Sequence, residues 1–431
     1  MGVVVESAAK GLVALGRSEL RKEDKRRAAE KAANAKKRKL DEIGREPAGP
    51  AMQQTNIVQA FTKQDNERVH SAVAQFFYAN EIAFNVARSP YFKKIISAVN
   101  TAAGRYQPPC FNTLRGRLLE QEVERVQERL RPIVDSIEVT GSTLTSDGWS
   151  SAQNRPLLNF LLVTPKGNVF LKAEDTSGKA KTAAYIADTW LECMEEAGAE
   201  RVQQVVSDSA ANCKAAGAII ESRVPHVTWT PCTGHCLDLA LEDIGDLDWA
   251  KDVVRQGKEV VHFITNHHKS QHIYRVHAVA AVGSPGLQLL KPGETRFGTN
   301  FIMLERMLKV RDALEEVVVD RDWKAWMDGG SAALRNAGAE IQSTVVSTSF
   351  WRKVQELVDI CWRIVALMKQ VDAGTPMVGK VYWRMHEILL KLDDIDAPAS
   401  HCNRAKHIVR ERWDMLHLRM HAAGFVLDPE F

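Results

Sequence analysis

The order of β-type and helix-type segments in the middle of the chain constrains the fold more than any other feature. After Asp135, three short runs rich in Val, Ile, Thr and Leu follow one another, SIEVTGSTLTSDGWSS, RPLLNFLLVTP and NVFLKAEDT, with turn residues between them. The helical run TAAYIADTWLECMEEAGAE, which Gly198 is predicted to end, and the helical run NCKAAGAIIESRVP then alternate with the strand-like runs RVQQVVSDSA and HVTWTPCTGHC. This βββαβαβ order predicts an α/β fold with a mixed sheet and excludes a doubly wound parallel one.

Helix-type segments lie on both sides of this region. Upstream, residues 66–135 repeat apolar residues every three to four positions, and Ser89 is a plausible helix N-cap before Pro90. The last upstream helix is predicted over residues 113–130, with Pro132 ending it. Downstream, runs such as FWRKVQELVDICWRIVALMKQVD place tryptophans at helical spacing, which is typical of a helical core.

These patterns predict four consecutive parts. They are a disordered basic tail over residues 1–50, a helical N-terminal unit over 51–136, an RNase H-like core over 137–283, and an all-helical insertion domain over 284–431. The fold class is therefore α/β, an RNase H-like mixed sheet with flanking helices and helical additions at both ends.

The excess of basic over acidic side chains is confined to the first fifty residues. The net charge is only +3, but residues 1–50 hold 13 basic and 8 acidic side chains. The rest of the chain holds 44 basic and 46 acidic side chains. Within this tail, Lys36, Lys37, Arg38 and Lys39 form a short basic run that indicates nuclear import or contact with nucleic acid. The alternative is a solvated helix face. We expect a nuclear protein.

The cysteine count and the hydropathy pattern exclude two classes of protein. Seven cysteines, an odd number spread over a long chain, form no disulfide framework and indicate reduced thiols. No run approaches the roughly 18 apolar residues that span a bilayer, and the N-terminus has no signal-peptide core. We therefore expect neither a membrane partner nor secretion.

Two aspartates stand where a metal site would need them. Asp147 lies near the end of the first predicted strand, in TSDGW, and Asp208 at the end of the fourth, in VVSDSAANC, 61 residues later. If the first and fourth strands are neighbours, the two carboxylates lie side by side. Paired carboxylates that bind divalent ions are what two-metal phosphoryl transfer requires.

Each aspartate also has a purely structural interpretation. TSDG is typical of a turn, and in SDSAAN either Asp208 or Ser209 can accept hydrogen bonds at a helix N-terminus. The two positions taken together, at two predicted strand ends, favour a site for Mg²⁺ or Mn²⁺.

The ordered motifs TSDGWSS, VVSDSAANCKAAG, TPCTGHCLDL and ETRFGTNFIMLERML resemble the hAT superfamily of DNA transposases, in particular its plant-type branch and proteins derived from it. The resemblance covers roughly residues 65–431. It implies an RNase H-like core interrupted by a helical insertion, DNA as a partner, and metal-dependent cleavage and transfer of DNA strands.

The resemblance also implies roles for single residues. Asp147 and Asp208 match the first two acids of the family's catalytic triad, and both would bind the metal. Cys232 and His235 match a Cys-x-x-His motif close to DNA and the active site, which the family carries on the strand after the second acid. Arg296 matches the arginine of an Arg-Trp pair. Phe297 replaces the tryptophan and keeps an aromatic face for stacking.

Two departures from the family pattern bear on activity. In the family, the third acid is a Glu on a helix that returns to the sheet. Both this Glu and the C-terminal dimerisation region would come after HAAGFVLDPEF, where this chain ends. Residues 1–109 contain no cysteine and therefore no BED-type zinc finger. We expect an insertion domain truncated at its C-terminal end and a protein without independent transposase activity.

Other interpretations stay open at this point. A domesticated, non-enzymatic DNA- or protein-binding nuclear factor would keep the fold without the chemistry. An unrelated RNase H-like nuclease would need further acids, such as Glu138 or Asp175, at the sheet. Zinc at Cys232, His235 and Cys236 is not expected because no second Cys-x-x-Cys stands at finger spacing. Besides DNA, the expected partners are a second copy of the chain or a full-length family member.

Overall fold

A computed structural model describes residues 57–102, 104, 106–151, 153–283, 286–293 and 298–431, with the backbone alone for 57–65 and 282. The predicted tail over residues 1–50, its run from Lys36 to Lys39, and the pair Arg296 and Phe297 lie outside these residues. The chain divides into two compact units, one up to Asp135 and one from Ser136 to Phe431.

The first unit is helical in its described part. Its elements are α1 (Ile57–Ala79), a 3-10 turn (Phe84–Arg88), α2 (Pro90–Thr101), α3 (Phe111–Arg115) and the greater part of α4 (Arg117–Thr140). Ser89 caps α2 as predicted, because its hydroxyl accepts the N–H of Tyr91 at 3.3 Å and Pro90 begins the helix. Phe77 is buried and meets Phe92 edge to face at 5.4 Å.

The end of α4 corrects two sequence-based predictions. The helix passes through Pro132, which was expected to end it, and includes Ile137 to Thr140, which were expected to begin the first strand. The helix ends instead at Thr140. The following Gly141 has a left-handed φ of +66°, and its N–H donates to the carbonyl of Ile137 at 2.9 Å. Ile137 is 3% exposed, so the last turn of α4 contributes a buried side chain.

The second unit begins with the predicted mixed sheet. Its strands are β1 (Ser142–Ser150), β2 (Pro156–Thr164), β3 (Gly167–Asp175), β4 (Val202–Ser207) and β5 (Thr228–Pro231), in the order β3-β2-β1-β4-β5. The first three strands pair antiparallel, and β1, β4 and β5 pair parallel. The RNase H-like mixed sheet is thus confirmed, including the adjacency of the first and fourth strands.

Two helices connect the parallel strands. Helix α5 (Ala183–Ala197) begins at Thr182, whose hydroxyl accepts the N–H of Tyr185, and a 3-10 turn (Ala199–Arg201) leads from it to β4. Helix α6 (Ala211–Arg223) connects β4 to β5. Gly198, with φ +85°, ends α5 as its sequence position predicted. Trp190 of α5 and Leu144 of β1 are fully buried in the core of this part.

Helices form the remainder of the described second unit. They are α7 (Thr233–Gly245), α8 (Asp248–Asn266), α9 (His268–Val282), α10 (Gly298–Lys309), α11 (Arg311–Val319), α12 (Arg321–Asp328), α13 (Ala332–Val345), α14 (Thr348–Val371), α15 (Val378–Lys391), a 3-10 turn (Leu392–Asp394), α16 (Ala399–Leu416) and α17 (Arg419–Leu427). Among the described residues, no helix combines the length and apolar character needed to cross a bilayer.

The tryptophans of this helical region have two different roles. Trp323 and Trp351 are 1% and 2% exposed and fill the space between helices, as their spacing predicted. Trp362 and Trp383 are 48% and 39% exposed, so the core interpretation is wrong for them. Helical spacing alone therefore did not separate the buried tryptophans from the exposed ones.

Helices α15 and α17 cross in close backbone contact. Gly379 and Gly424 meet at the crossing, and a Cβ atom on Gly379 would lie 2.4 Å from the carbonyl oxygen of Gly424. Beside the crossing, the rings of Tyr382 and Phe425 stack with centroids 5.2 Å apart. The absence of both side chains is what allows the two helices to approach this closely.

Candidate functional site

Strands β1 and β4 bring Asp147 and Asp208 to the same level of the sheet. Their parallel register pairs Thr145 with Val206. Asp147 is two residues after Thr145, and Asp208 is two residues after Val206. Asp147 lies within β1, three residues before the end of the strand, and Asp208 directly follows β4. Since neighbouring strands lie about 5 Å apart, this register places the two aspartates side by side. Asp147 is exposed and Asp208 is half-buried.

The carboxylate of Asp208 has defined neighbours. Its Oδ1 accepts the N–H of Ala210 at 3.0 Å, so the structural role considered from the sequence is present at this residue. Burial, together with a hydrogen bond to Asp208, raises the pKa of the Cys213 thiol to about 12. The thiol therefore stays protonated at neutral pH and can donate to the carboxylate. These contacts fix the orientation of Asp208 at the start of α6.

Trp229 supports the end of β4 from the neighbouring strand. Its indole N–H donates to the hydroxyl of Ser207 at 3.0 Å, and Ser207 directly precedes Asp208. The same indole packs on Gly217 of α6, where a Cβ atom would lie 2.3 Å from its Cγ. The Trp229 ring thus fills the space that a larger residue at position 217 would take.

The Cys-x-x-His motif lies at the junction of a strand and a helix, which corrects the expectation that it sits on the strand. Strand β5 ends at Pro231, Cys232 is the N-cap residue of α7, and His235 is in its first turn. The N–H of Cys232 donates to the carbonyl of Ser207 at 2.6 Å. This bond ties the start of α7 to the end of β4, next to Asp208.

Cys236 follows the motif and is buried. Only 1% of the residue is exposed, and this burial, with a smaller effect of Cys232, raises the pKa of its thiol to about 11. Across the described residues, no group of three or more His, Cys, Asp or Glu side chains is arranged to hold a metal ion. The expectation that zinc is not held here stays a prediction.

Helix α7 also holds the helical region in place. The Asp238 carboxylate accepts the N–H of Gly298, the first residue of α10, at 2.8 Å. Asp243 accepts two hydrogen bonds from the Arg412 guanidinium of α16, at 2.8 and 2.5 Å. The helix that carries His235 is therefore fixed on one side by the sheet and on the other by later helices.

The further acids that an unrelated nuclease would need lie elsewhere. Glu138 is on α4, outside the sheet, and forms an ion pair with Arg201 at 2.8 Å. Asp175 ends β3, the strand at the sheet edge, and its Oδ1 accepts the N–H of Ser177. Hydrogen bonds from the hydroxyl and then from the N–H of Ser177 lower the pKa of Asp175 below its usual value. Neither acid stands on a strand next to the Asp147–Asp208 pair.

Sequence reasoning missed two side chains at this site. Asn159 of β2 pairs directly with Asp147 across the antiparallel ladder. Its signal in the sequence was a single amide inside the apolar run LLNFLLV. Trp229 was visible only as an aromatic residue in a strand, and nothing local indicated its hydrogen bond to Ser207.

A known protein-family model matches the middle of the chain. Residues 109–260 match a family model described as a domain of unknown function, DUF659, which occurs in hAT-type transposase-like proteins. The sheet region is similar to a transposase-like domain. The matched stretch includes Asp147, Asp208, Cys232 and His235 and ends within α8. No curated protein matches the chain.

Proposed function

We propose that this chain is a hAT transposase-like nuclear protein in which Asp147 and Asp208 bind a divalent cation, Mg²⁺ or Mn²⁺, at a site that meets DNA. The observation that carries the proposal is the parallel register of β1 and β4, which sets the two carboxylates level. The match of residues 109–260 to a domain of transposase-like proteins supports it.

The donor set suits a hard cation. Carboxylate oxygens are the ligands that Mg²⁺ and Mn²⁺ prefer in proteins. Asp147 is exposed, so a phosphate group from solvent can reach it, while Asp208 is oriented by Ala210 and Cys213. A bound divalent ion would polarise a phosphoryl oxygen and lower the pKa of bound water.

The ancestral reaction of such a site is metal-dependent cleavage and transfer of DNA strands. Two-metal phosphoryl transfer needs ligands for both ions, and this chain's proposed ligands include two carboxylates and no assigned third acid. We therefore expect the chain alone to bind metal and DNA and to leave DNA uncut. Cys232, His235, Arg296 and Phe297 are proposed to contact DNA or to shape the site.

A metal titration tests the site. The electron paramagnetic resonance signal of free Mn²⁺ would be followed as folded protein is added, for wild type, Asp147→Asn and Asp208→Asn. We expect wild type to bind Mn²⁺ and each variant to bind at least about tenfold more weakly. Asp252→Asn is the control, because Asp252 lies on the exposed face of α8 beside Arg255, and it should bind as wild type does.

DNA assays complete the test. Fluorescence anisotropy with a DNA duplex should show binding that weakens steeply with salt, since phosphate contacts release counterions. Absence of Mn²⁺ binding by folded wild type would contradict the metal site, and with DNA binding retained it would favour a non-enzymatic binding factor. Robust cutting that Asp147→Ala abolishes would contradict the expected lack of activity.

Nuclear import has its own test. With the full chain fused to a bulky fluorescent protein, replacing Lys36, Lys37, Arg38 and Lys39 by alanine should abolish most nuclear accumulation. Replacing Arg21, Lys22, Lys25 and Arg26 instead removes the same charge from the same tail and should leave import intact. An equal loss of nuclear accumulation in the two variants would mean that total charge, and not the run at 36–39, determines import, and normal import of both would mean that neither run is needed.

A further inference from the structure

Asn159 occupies an unusual position for a polar side chain. It lies in the middle of β2, with Leu158 and Phe160 buried on either side of it in the sequence. The antiparallel register pairs it directly with Asp147 of β1. Directly paired residues have side chains on the same face of a sheet, with Cβ atoms about 5 Å apart. The amide of Asn159 therefore lies beside the carboxylate of Asp147.

Among the described residues, the side-chain oxygen of Asn159 has no hydrogen-bond donor. Its Oδ1 has almost no solvent-exposed surface and accepts no hydrogen bond from the part of the chain that the structure describes. A buried acceptor without a partner costs about 1–3 kcal/mol and therefore requires an explanation. An ionised Asp147 cannot satisfy it, because a carboxylate only accepts hydrogen bonds. A divalent cation bound beside this oxygen would satisfy it, since amide oxygens are ordinary ligands of such ions.

Three oxygen-bearing residues form a row across three adjacent strands. Asn159 is on β2, Asp147 is beside it on β1, and Asp208 is level with Asp147 after β4. We propose that Asn159 Oδ1 is the third oxygen ligand of the divalent cation held by Asp147 and Asp208. This inference rests on the proposed function, since it takes the two carboxylates as ligands.

The charge and number of these ligands are consistent with a substrate-binding ion. Two carboxylates neutralise a divalent cation, and a neutral amide adds an oxygen without adding further negative charge. Mg²⁺ is commonly bound by one or two carboxylates and keeps its other positions for water and substrate phosphates. A site of this composition can therefore accept phosphate oxygens of DNA, which a third carboxylate at position 159 would repel more strongly.

The Mn²⁺ titration decides the role of Asn159. Asn159→Leu keeps a similar volume and removes the oxygen, so we expect Mn²⁺ affinity to fall at least about tenfold. Asn159→Asp keeps an oxygen at that place and adds charge, so Mn²⁺ should bind as tightly as to wild type or more tightly. Asn168→Leu, on the exposed side of β3, is the matched control and should bind as wild type does.

The possible outcomes separate this inference from the proposed function. If Asp147→Asn weakens binding while Asn159→Leu does not, Asn159 is not a ligand and the two-carboxylate site stands. If folded wild type binds no Mn²⁺, the proposed function and this inference both fall. If circular dichroism shows that Asn159→Leu does not fold, Asn159→Asp decides, and weaker binding than wild type would overturn the inference.

Discussion

Gly217→Ala is expected to lower the free energy of unfolding of the second unit by about 3 kcal/mol. The added Cβ would lie 2.3, 2.6 and 2.8 Å from the Cγ, Cδ2 and Cβ of Trp229, atoms near the rigid stem of that side chain. Overpacking costs about 1–3 kcal/mol and occasionally more. Displacing the indole also costs its hydrogen bond to Ser207, about 1 kcal/mol.

Helix propensity acts in the opposite direction in this variant. Alanine is a better helix former than glycine by about 1 kcal/mol, so the steric cost has to exceed that gain. The control is Ala218→Gly at the neighbouring, exposed position of α6, which should cost only about 1 kcal/mol. Urea unfolding followed by tryptophan fluorescence measures both. A Gly217→Ala protein as stable as wild type would contradict the packing of Trp229 on α6.

The same substitution reports on the site. The Trp229 indole holds Ser207, which directly precedes Asp208. A displaced indole should therefore disturb the position of Asp208 and weaken Mn²⁺ binding, although the substitution does not alter Asp147. Unchanged Mn²⁺ affinity in a destabilised Gly217→Ala protein would mean that Ser207 does not help to position Asp208.

Gly379→Ala is expected to undock α17 from α15. Its Cβ would meet backbone atoms, the Gly424 oxygen and carbon at 2.4 and 2.5 Å and the Phe425 nitrogen at 2.8 Å, and no side-chain rotation can relieve these contacts. Separating the helices also breaks the stacking of Tyr382 on Phe425. A loss of about 3 kcal/mol increases the opening equilibrium about a hundredfold.

Amide hydrogen exchange measures that opening locally. Exchange in α17 should accelerate about a hundredfold while the amides of β1 and β4 keep their protection, because local opening exposes only the segment that undocks. Gly329→Ala is the control, since its Cβ would have a single ordinary neighbour, the Ala325 oxygen at 3.5 Å, at a normal φ of −82°. Unchanged exchange in Gly379→Ala would show that the helices do not cross at these glycines.

The features that the sequence predicted correctly depend on local patterns in a known order. Three β runs followed by alternating helices and strands predicted the sheet and the adjacency of β1 and β4, and from it the approach of Asp147 to Asp208. Gly198 ended α5 and Ser89 capped α2 as expected, because caps are decided within one helical turn.

The features that the sequence did not predict depend on distant contacts or on competition between signals. Pro132 is a strong helix-ending signal, yet α4 continues through it to Thr140, and Gly141 follows the end of the helix. Asn159 was inconspicuous because its importance depends on which residue stands across the ladder. The support of Trp229 for Ser207 joins residues 22 positions apart and has no local pattern.

The contacts of α7 have a consequence for the order in which the second unit is assembled. Asp238 is joined to a residue 60 positions later, and Asp243 to one 169 positions later. During synthesis, the strands therefore leave the ribosome well before Arg412 is available. Contacts of such long sequence separation form slowly because the intervening loop must first be closed. The helix that carries His235 thus reaches its final support late, and the nascent sheet must stay soluble without it.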